Sequence, residues 1–104
     1  MKINKFIEKP DLKRAEKFLY DKRYLWNSGI FLFKSSIILK ELEKFEPELV
    51  NTCKKSLIKS KKDLDFIRLD KNSFQYCSNK SIDIAVMEKT NSGEVVPLEA
   101  GWSD

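Results

Sequence analysis

Ile30-Phe31-Leu32-Phe33 is an unbroken apolar run of aromatic and branched side chains, entered through Ser28-Gly29. A strand with one wet face alternates apolar and polar residues, and this run offers no polar position to turn toward water. The pattern suits a strand buried on both faces, as in a parallel sheet. Parallel strands need crossover connections, so helices are expected on either side. Downstream, Ser35 or Ser36 can cap a helix whose inward face is Ile38, Leu42 and Phe45. Pro47 restarts helical structure, with Leu49, Cys53 and Leu57 at four-residue intervals.

Upstream of the run, Asp21 to Asn27 reads as a loop. Before it, Leu12, Ala15, Phe18 and Leu19 share one face at helical spacing behind Pro10-Asp11. Lys2 to Ile7 reads as a short strand with Ile3, Phe6 and Ile7 as its apolar members. Toward the other end, Phe66, Ile67 and Leu69 are expected to be buried. Ser81 can cap a last helix with Ile82, Ala85 and Val86 inward. Asn91-Ser92-Gly93 is a turn signal before a strand over Glu94 to Leu98. Strand, helix, strand, several helices, strand is an α/β order. Three short strands close a sheet poorly, and exposed edges and apolar patches are expected unless another segment covers them.

The chain has 104 residues, one small domain in size, with 41% hydrophobic and 35% charged residues. Its net charge of +4 is spread through mixed-sign stretches such as Lys40-Glu41-Leu42-Glu43-Lys44. The densest basic stretch, Lys54 to Lys62, is interrupted by Leu57 and Ile58 and followed by Asp63. Solvated helix faces explain this better than a nucleic-acid stripe, so no nucleic-acid partner is expected. A stand-alone basic module for an anionic partner is the alternative, resting on those lysines and the net charge. There is no histidine, which excludes Ser-His and Cys-His nucleophilic mechanisms and the common zinc sites. Cys53 and Cys77 read as small buried hydrophobes. No run reaches transmembrane length and no signal-peptide core follows the start, so a cytoplasmic location without membrane contact is expected.

Three segments carry chemistry. Glu8-Lys9-Pro10 ends the first expected strand, where α/β sheets gather ligands. A carboxylate beside an ammonium can accept sugar hydroxyls and neutralise a phosphate, although a solvated turn fits the tripeptide equally. In Trp26-Asn27-Ser28-Gly29, Asn27 and Ser28 offer donors and acceptors and Gly29 permits close backbone approach; an Asn turn beside a core Trp is the even alternative. In Glu99-Ala100-Gly101-Trp102-Ser103-Asp104, an acid behind a glycine turn can ligate Mg²⁺, although taken alone the segment reads better as a disordered C-terminal acid.

Together and in this order, these segments are more specific. Phe6-Ile7-Glu8-Lys9-Pro10, Trp26-Asn27-Ser28-Gly29-Ile30-Phe31, the stretch Ser81 to Thr90 and Glu99 to Asp104 resemble bacterial mannose-1-phosphate guanylyltransferases, which make GDP-mannose from GTP and mannose 1-phosphate. The resemblance spans the whole chain and is weaker between Asn51 and Lys80. It implies part of a Rossmann-like nucleotide-diphospho-sugar transferase fold, the sugar-binding half of a few-stranded mixed sheet with helices.

Carried over residue by residue, the resemblance implies that Glu8 binds sugar hydroxyls and that Lys9 contacts the sugar phosphate and acts in catalysis. Asn27 and Ser28 would hold mannose, with Gly29 letting it lie against the backbone. Asp104 would ligate Mg²⁺, and Ser81 to Thr90 would pack beside the sugar pocket. The reaction is in-line attack of the sugar-phosphate oxygen on the α-phosphorus of GTP, expelling pyrophosphate, which needs positioning and charge neutralisation rather than a protein nucleophile. The family's glycine-rich nucleotide loop has no counterpart among Gly29, Gly93 and Gly101. Residues 1–104 therefore read as a single sugar-phosphate half, inactive alone, binding GTP only with an N-terminal nucleotide half. A homodimer is compatible with this expectation.

Overall fold

A computed structural model describes residues 1–101 and Ser103. Its elements are α1 (Leu12–Tyr20), α2 (Ser35–Phe45), α3 (Pro47–Ile58), β1 (Lys61–Asp63), β2 (Phe66–Arg68), α4 (Lys71–Phe74) and a π-helical segment (Asp83–Met87).

The helices follow local signals. Asp11 caps α1, its Oδ1 accepting from the Arg14 amide at 2.8 Å. Pro47 stands in the first turn of α3, where a missing N–H costs nothing. In α2 the expected face, Ile38, Leu42 and Phe45, is the half-buried one. Its start differs from expectation: Lys34 occupies the cap position, and Ser35 and Ser36 lie inside the first turn without capping it. Ser81 does serve the last helical segment, accepting from the Ile84 amide at 3.5 Å through its hydroxyl.

α2 packs against both α3 and the π-helical segment, and α3 packs against α4. Among the described residues, Val50, Ala85 and Val86 are the buried apolar ones, with Ser56 and Glu46 as buried polar ones. On α3 the inward positions are Val50 and Ser56, whereas Cys53 and Leu57 are exposed. α4 docks on α3 at the buried Ser56, whose carbonyl accepts from the Asp70 amide at 3.1 Å.

The α/β character holds, yet the strands are not where periodicity put them. The two-stranded sheet is the antiparallel hairpin β1–β2, with Asp63 opposite Phe66 across Leu64-Asp65. Phe66, Ile67 and Leu69, expected inside, are exposed. Lys2 to Ile7 and Glu94 to Leu98 meet in a single antiparallel bridge, Lys2 with Glu94. The Ile3 amide donates to Gly93 O at 2.9 Å and the Val95 amide to Met1 O at 2.7 Å. Gly93 admits this approach, since an added Cβ would lie 3.3 Å from Ile3 Cδ1. Ile30–Phe33 has no ladder partner among the described residues, and Leu32 is 100% exposed. Apolar composition supplies strand propensity, but a strand exists only where another pairs with it. No helix among the described residues is long and apolar enough to cross a membrane.

Candidate functional site

The segment Ser81 to Thr90 is anchored from several sides. From below, Ala85 and Val86 are buried against α2. From its two ends, the Lys80 and Lys89 ammonium groups donate to one Glu46 oxygen at 2.9 and 3.2 Å. Glu46 is the hinge residue between α2 and α3, ending one and preceding the other. Its side chain is 11% exposed, so a lone carboxylate there would lose much of its hydration; two ammonium groups replace it. Hydrogen bonds from Lys80 and then Lys89 hold the Glu46 carboxyl below its ordinary value.

The upper side of this platform holds both loops in which the sequence placed substrate contacts. The Asp83 carboxylate accepts from Asn27 Nδ2 at 3.0 Å. The Glu88 carboxylate accepts from the Glu8 amide at 3.1 Å. Asp83 and Glu88 are themselves joined, the Glu88 amide donating to the Asp83 carbonyl at 2.9 Å, one residue wider than an α-helical bond. Wide turns of this kind recur at functional sites. The loops bearing Glu8 and Asn27, far apart in sequence, are thus tied to opposite ends of one π-helical segment.

Each loop has its own geometry. Lys9 has φ 47°, uncommon for a residue with a side chain and more so before proline. That bend leaves Glu8 half-buried and Lys9 exposed. Asn27 Oδ1 accepts from the Gly29 amide at 3.0 Å, so both ends of its amide are engaged, each with capacity for one further bond. Gly29 has φ 76° and open space where a Cβ would stand; its requirement is the left-handed backbone, and the free space adjoins Asn27. Ser28 Oγ lies 3.4 Å from the Ile30 amide. Asp104, the expected metal ligand, lies outside the described residues. Among the described residues no three His, Cys, Asp or Glu side chains are grouped for a metal ion.

Two hollows flank this arrangement. A crevice of about 170 Å³ with a mixed lining, including Glu41, Thr90 and Glu94, runs between Ile30–Phe33, α2 and Val86–Met87. A polar groove of about 540 Å³ lies between α3 and α4, with Thr52, Lys55, Asp70 and Tyr76 in its walls. Glu8, Lys9, Asn27, Ser28 and Gly29 line neither. Glu46, Asp83 and Glu88, whose carboxylates make these contacts, were not singled out from the sequence; the two acids inside Ser81 to Thr90 were the available signal.

A domain of this architecture, with polar loops gathered on a helical platform, has clear relatives. The family model described as nucleotidyl transferase matches residues 1–104, and the chain belongs to that family. Among curated proteins it is 51% identical over 102 residues to mannose-1-phosphate guanylyltransferase 2 of Escherichia coli O157:H7, covering 98% of this chain and 21% of the relative. It is 50% identical over 102 residues to the xanthan biosynthesis protein XanB of Xanthomonas campestris, covering 98% of this chain and 22% of the relative. It is 48% identical over 103 residues to the alginate biosynthesis protein AlgA of Pseudomonas syringae, with 99% and 21% covered. The chain thus spans about a fifth of the length of these relatives. A solved structure of a mannose-6-phosphate isomerase from Helicobacter pylori superposes with TM-score 0.88 at 34% identity, over 97% of this chain and 41% of that one.

Proposed function

We propose that the chain is the sugar-phosphate half of a mannose-1-phosphate guanylyltransferase, forming GDP-mannose and pyrophosphate from GTP and mannose 1-phosphate once a nucleotide half is joined to it. The observation that carries this reading is the 51% identity to a protein of that name along 98% of the chain. In this proposal Lys9 neutralises and orients the attacking phosphate. Glu8 and Asn27 accept and donate to mannose hydroxyls, beside the space left by Gly29, with Ser28 in the same loop. Asp83 and Glu88 hold the two loops at a fixed separation, so little positional freedom is lost on binding. Magnesium would draw on Asp104 and the phosphate oxygens. GTP would enter from the nucleotide half, whose sheet would also cover the apolar Ile30–Phe33 run. The setting would be the cytoplasm, and a dimer is compatible with it.

The isomerase name of the structural neighbour motivates a second reading, isomerisation of mannose 6-phosphate, which shares the mannose phosphate to be held. Both are tested by assaying GDP-mannose formation and isomerisation, with the chain alone and with a full-length protein containing it. The expected result is guanylyl transfer by the full-length protein and none by the chain alone. Lys9→Ala in the full-length protein is expected to lower turnover at least ~100-fold, as removal of a charge-stabilising contact does, with unchanged unfolding. Full turnover by the chain alone, or full activity in Lys9→Ala, would overturn the assignment.

A further inference from the structure

Cys53 and Cys77 play no part in the proposed site, and the fold brings them together. Cys53 lies on α3; Cys77 follows α4, where its amide donates to Phe74 O at 2.9 Å and turns the chain back toward α3. Their sulfurs are 3.9 Å apart. At the other end of α4, the Asp70 amide is fixed to the Ser56 carbonyl at 3.1 Å, so both ends of α4 are docked less than one turn apart along α3. A disulfide needs its sulfurs about 2.05 Å apart, a closure of about 1 Å per side chain that torsion at Cβ can supply. Both residues are free thiols. Cys53 is exposed and Cys77 half-buried, which separates a thiol that a small oxidant reaches from one that resolves. Burial and the neighbouring Cys77 push the Cys53 thiol up.

We propose that Cys53 and Cys77 are a redox-modification site, closing to a reversible intramolecular disulfide by exchange with a low-molecular-weight disulfide. Cys53 loses its proton and attacks one sulfur of the small disulfide, forming a mixed disulfide and releasing one small thiol. Cys77 then loses its proton and attacks the Cys53 sulfur, releasing the second. Two protein thiols are oxidised and one small disulfide is reduced to two thiols, with no other reactant. The product ties α3 to the end of α4. Thr52 and Tyr76, each adjacent to one of the cysteines, line the polar groove between those helices, so oxidation also fixes the width of that groove. In a reducing compartment such a bond is transient and reports oxidising conditions.

The test is exposure of the chain to oxidised glutathione at graded ratios to the reduced form, followed by intact mass and thiol titration without reduction. Expected are a mass lower by two hydrogens, loss of both titratable thiols, a Cys53–Cys77 cross-linked peptide and reversal by dithiothreitol. Cys77→Ser should stop at a single glutathione on Cys53. Two glutathiones per chain without a cross-link, or a chain-to-chain disulfide as main product, would overturn the proposal. So would an equal yield of cross-link in strong denaturant, because the folded geometry would then contribute nothing.

Discussion

Two apolar stretches of this chain meet opposite fates. Ile82 to Val86 is interrupted by Asp83, yet it carries Ala85 and Val86, each 2% exposed. Ile30 to Phe33 is apolar throughout, yet Ile30, Leu32 and Phe33 are exposed. The first is backed by α2 and held at both ends by Lys80 and Lys89 on Glu46. The second adjoins a crevice on one side and has no paired strand among the described residues on the other. Burial here follows from what stands opposite, and apolarity only makes it possible.

The largest effect should come from placing a charge in the platform. Val86→Asp buries an unpaired carboxylate, a change that costs about 3–5 kcal/mol, a large share of the ~5–15 kcal/mol that holds a domain. Loss of the cooperative unfolding transition in circular dichroism is the expected result; a native-like melt would mean the platform is not the core. Next is Asp83→Ala in the full-length protein. It should leave the melt in place but free Asn27, and about a tenfold loss of kcat/KM, mostly through KM, is expected for one positioning hydrogen bond to a charged group. Wild-type kinetics would show that the platform does not position the loop.

The clamp gives a smaller, pH-dependent effect. Because Glu46 titrates below its ordinary 4.5, its contribution is complete above that value. It is lost as pH falls through the lowered folded value, where the unfolded state takes up the proton first. Glu46→Gln should therefore melt lower at neutral pH and show a shallower decline on acidification below 4.5. What decline remains belongs to other depressed acids, including Asp21, lowered to about 2 by its hydrogen bonds to Arg23, and Asp70, lowered by Ser73. Identical acid limbs in thermal melts of the two proteins would remove Glu46 from the clamp. The smallest effect is expected for Leu32→Lys in this chain, within about 0.5 kcal/mol by denaturant titration, since a fully exposed side chain has nothing to lose. The same substitution should destabilise a longer protein in which a neighbouring sheet covers the run, and equal tolerance in both would break the proposed sheet contact.

Much of this was legible from local pattern. The face of α2 follows from Ile38, Leu42 and Phe45, the opening of α1 from Pro10-Asp11, and the inward pair Ala85–Val86 from helical spacing, because a helix is a relation among residues three and four apart. The segments holding Glu8-Lys9 and Asn27-Gly29 were legible as polar, and the backbone freedom at Gly29 with them, whereas the left-handed backbone at Lys9 was not. Illegible were the hairpin at Lys61–Arg68, which has no strong turn sequence, and the exposure of Cys53 and Leu57, which depends on where α4 docks. Also illegible was the Glu46 clamp, whose partners lie 34 and 43 residues away in sequence.

By itself, then, the sequence determined the helices, the polar loops and the apolar runs, since each depends on neighbours along the chain. Tertiary structure alone decided which run is buried, which loops share a support and which sulfurs touch. Those outcomes rest on contacts such as the one between the Glu8 amide and Glu88, 80 residues apart. Such contacts form only after the ends of a long segment have been brought together against its conformational entropy, and nothing in the local pattern of either partner encodes the other's position.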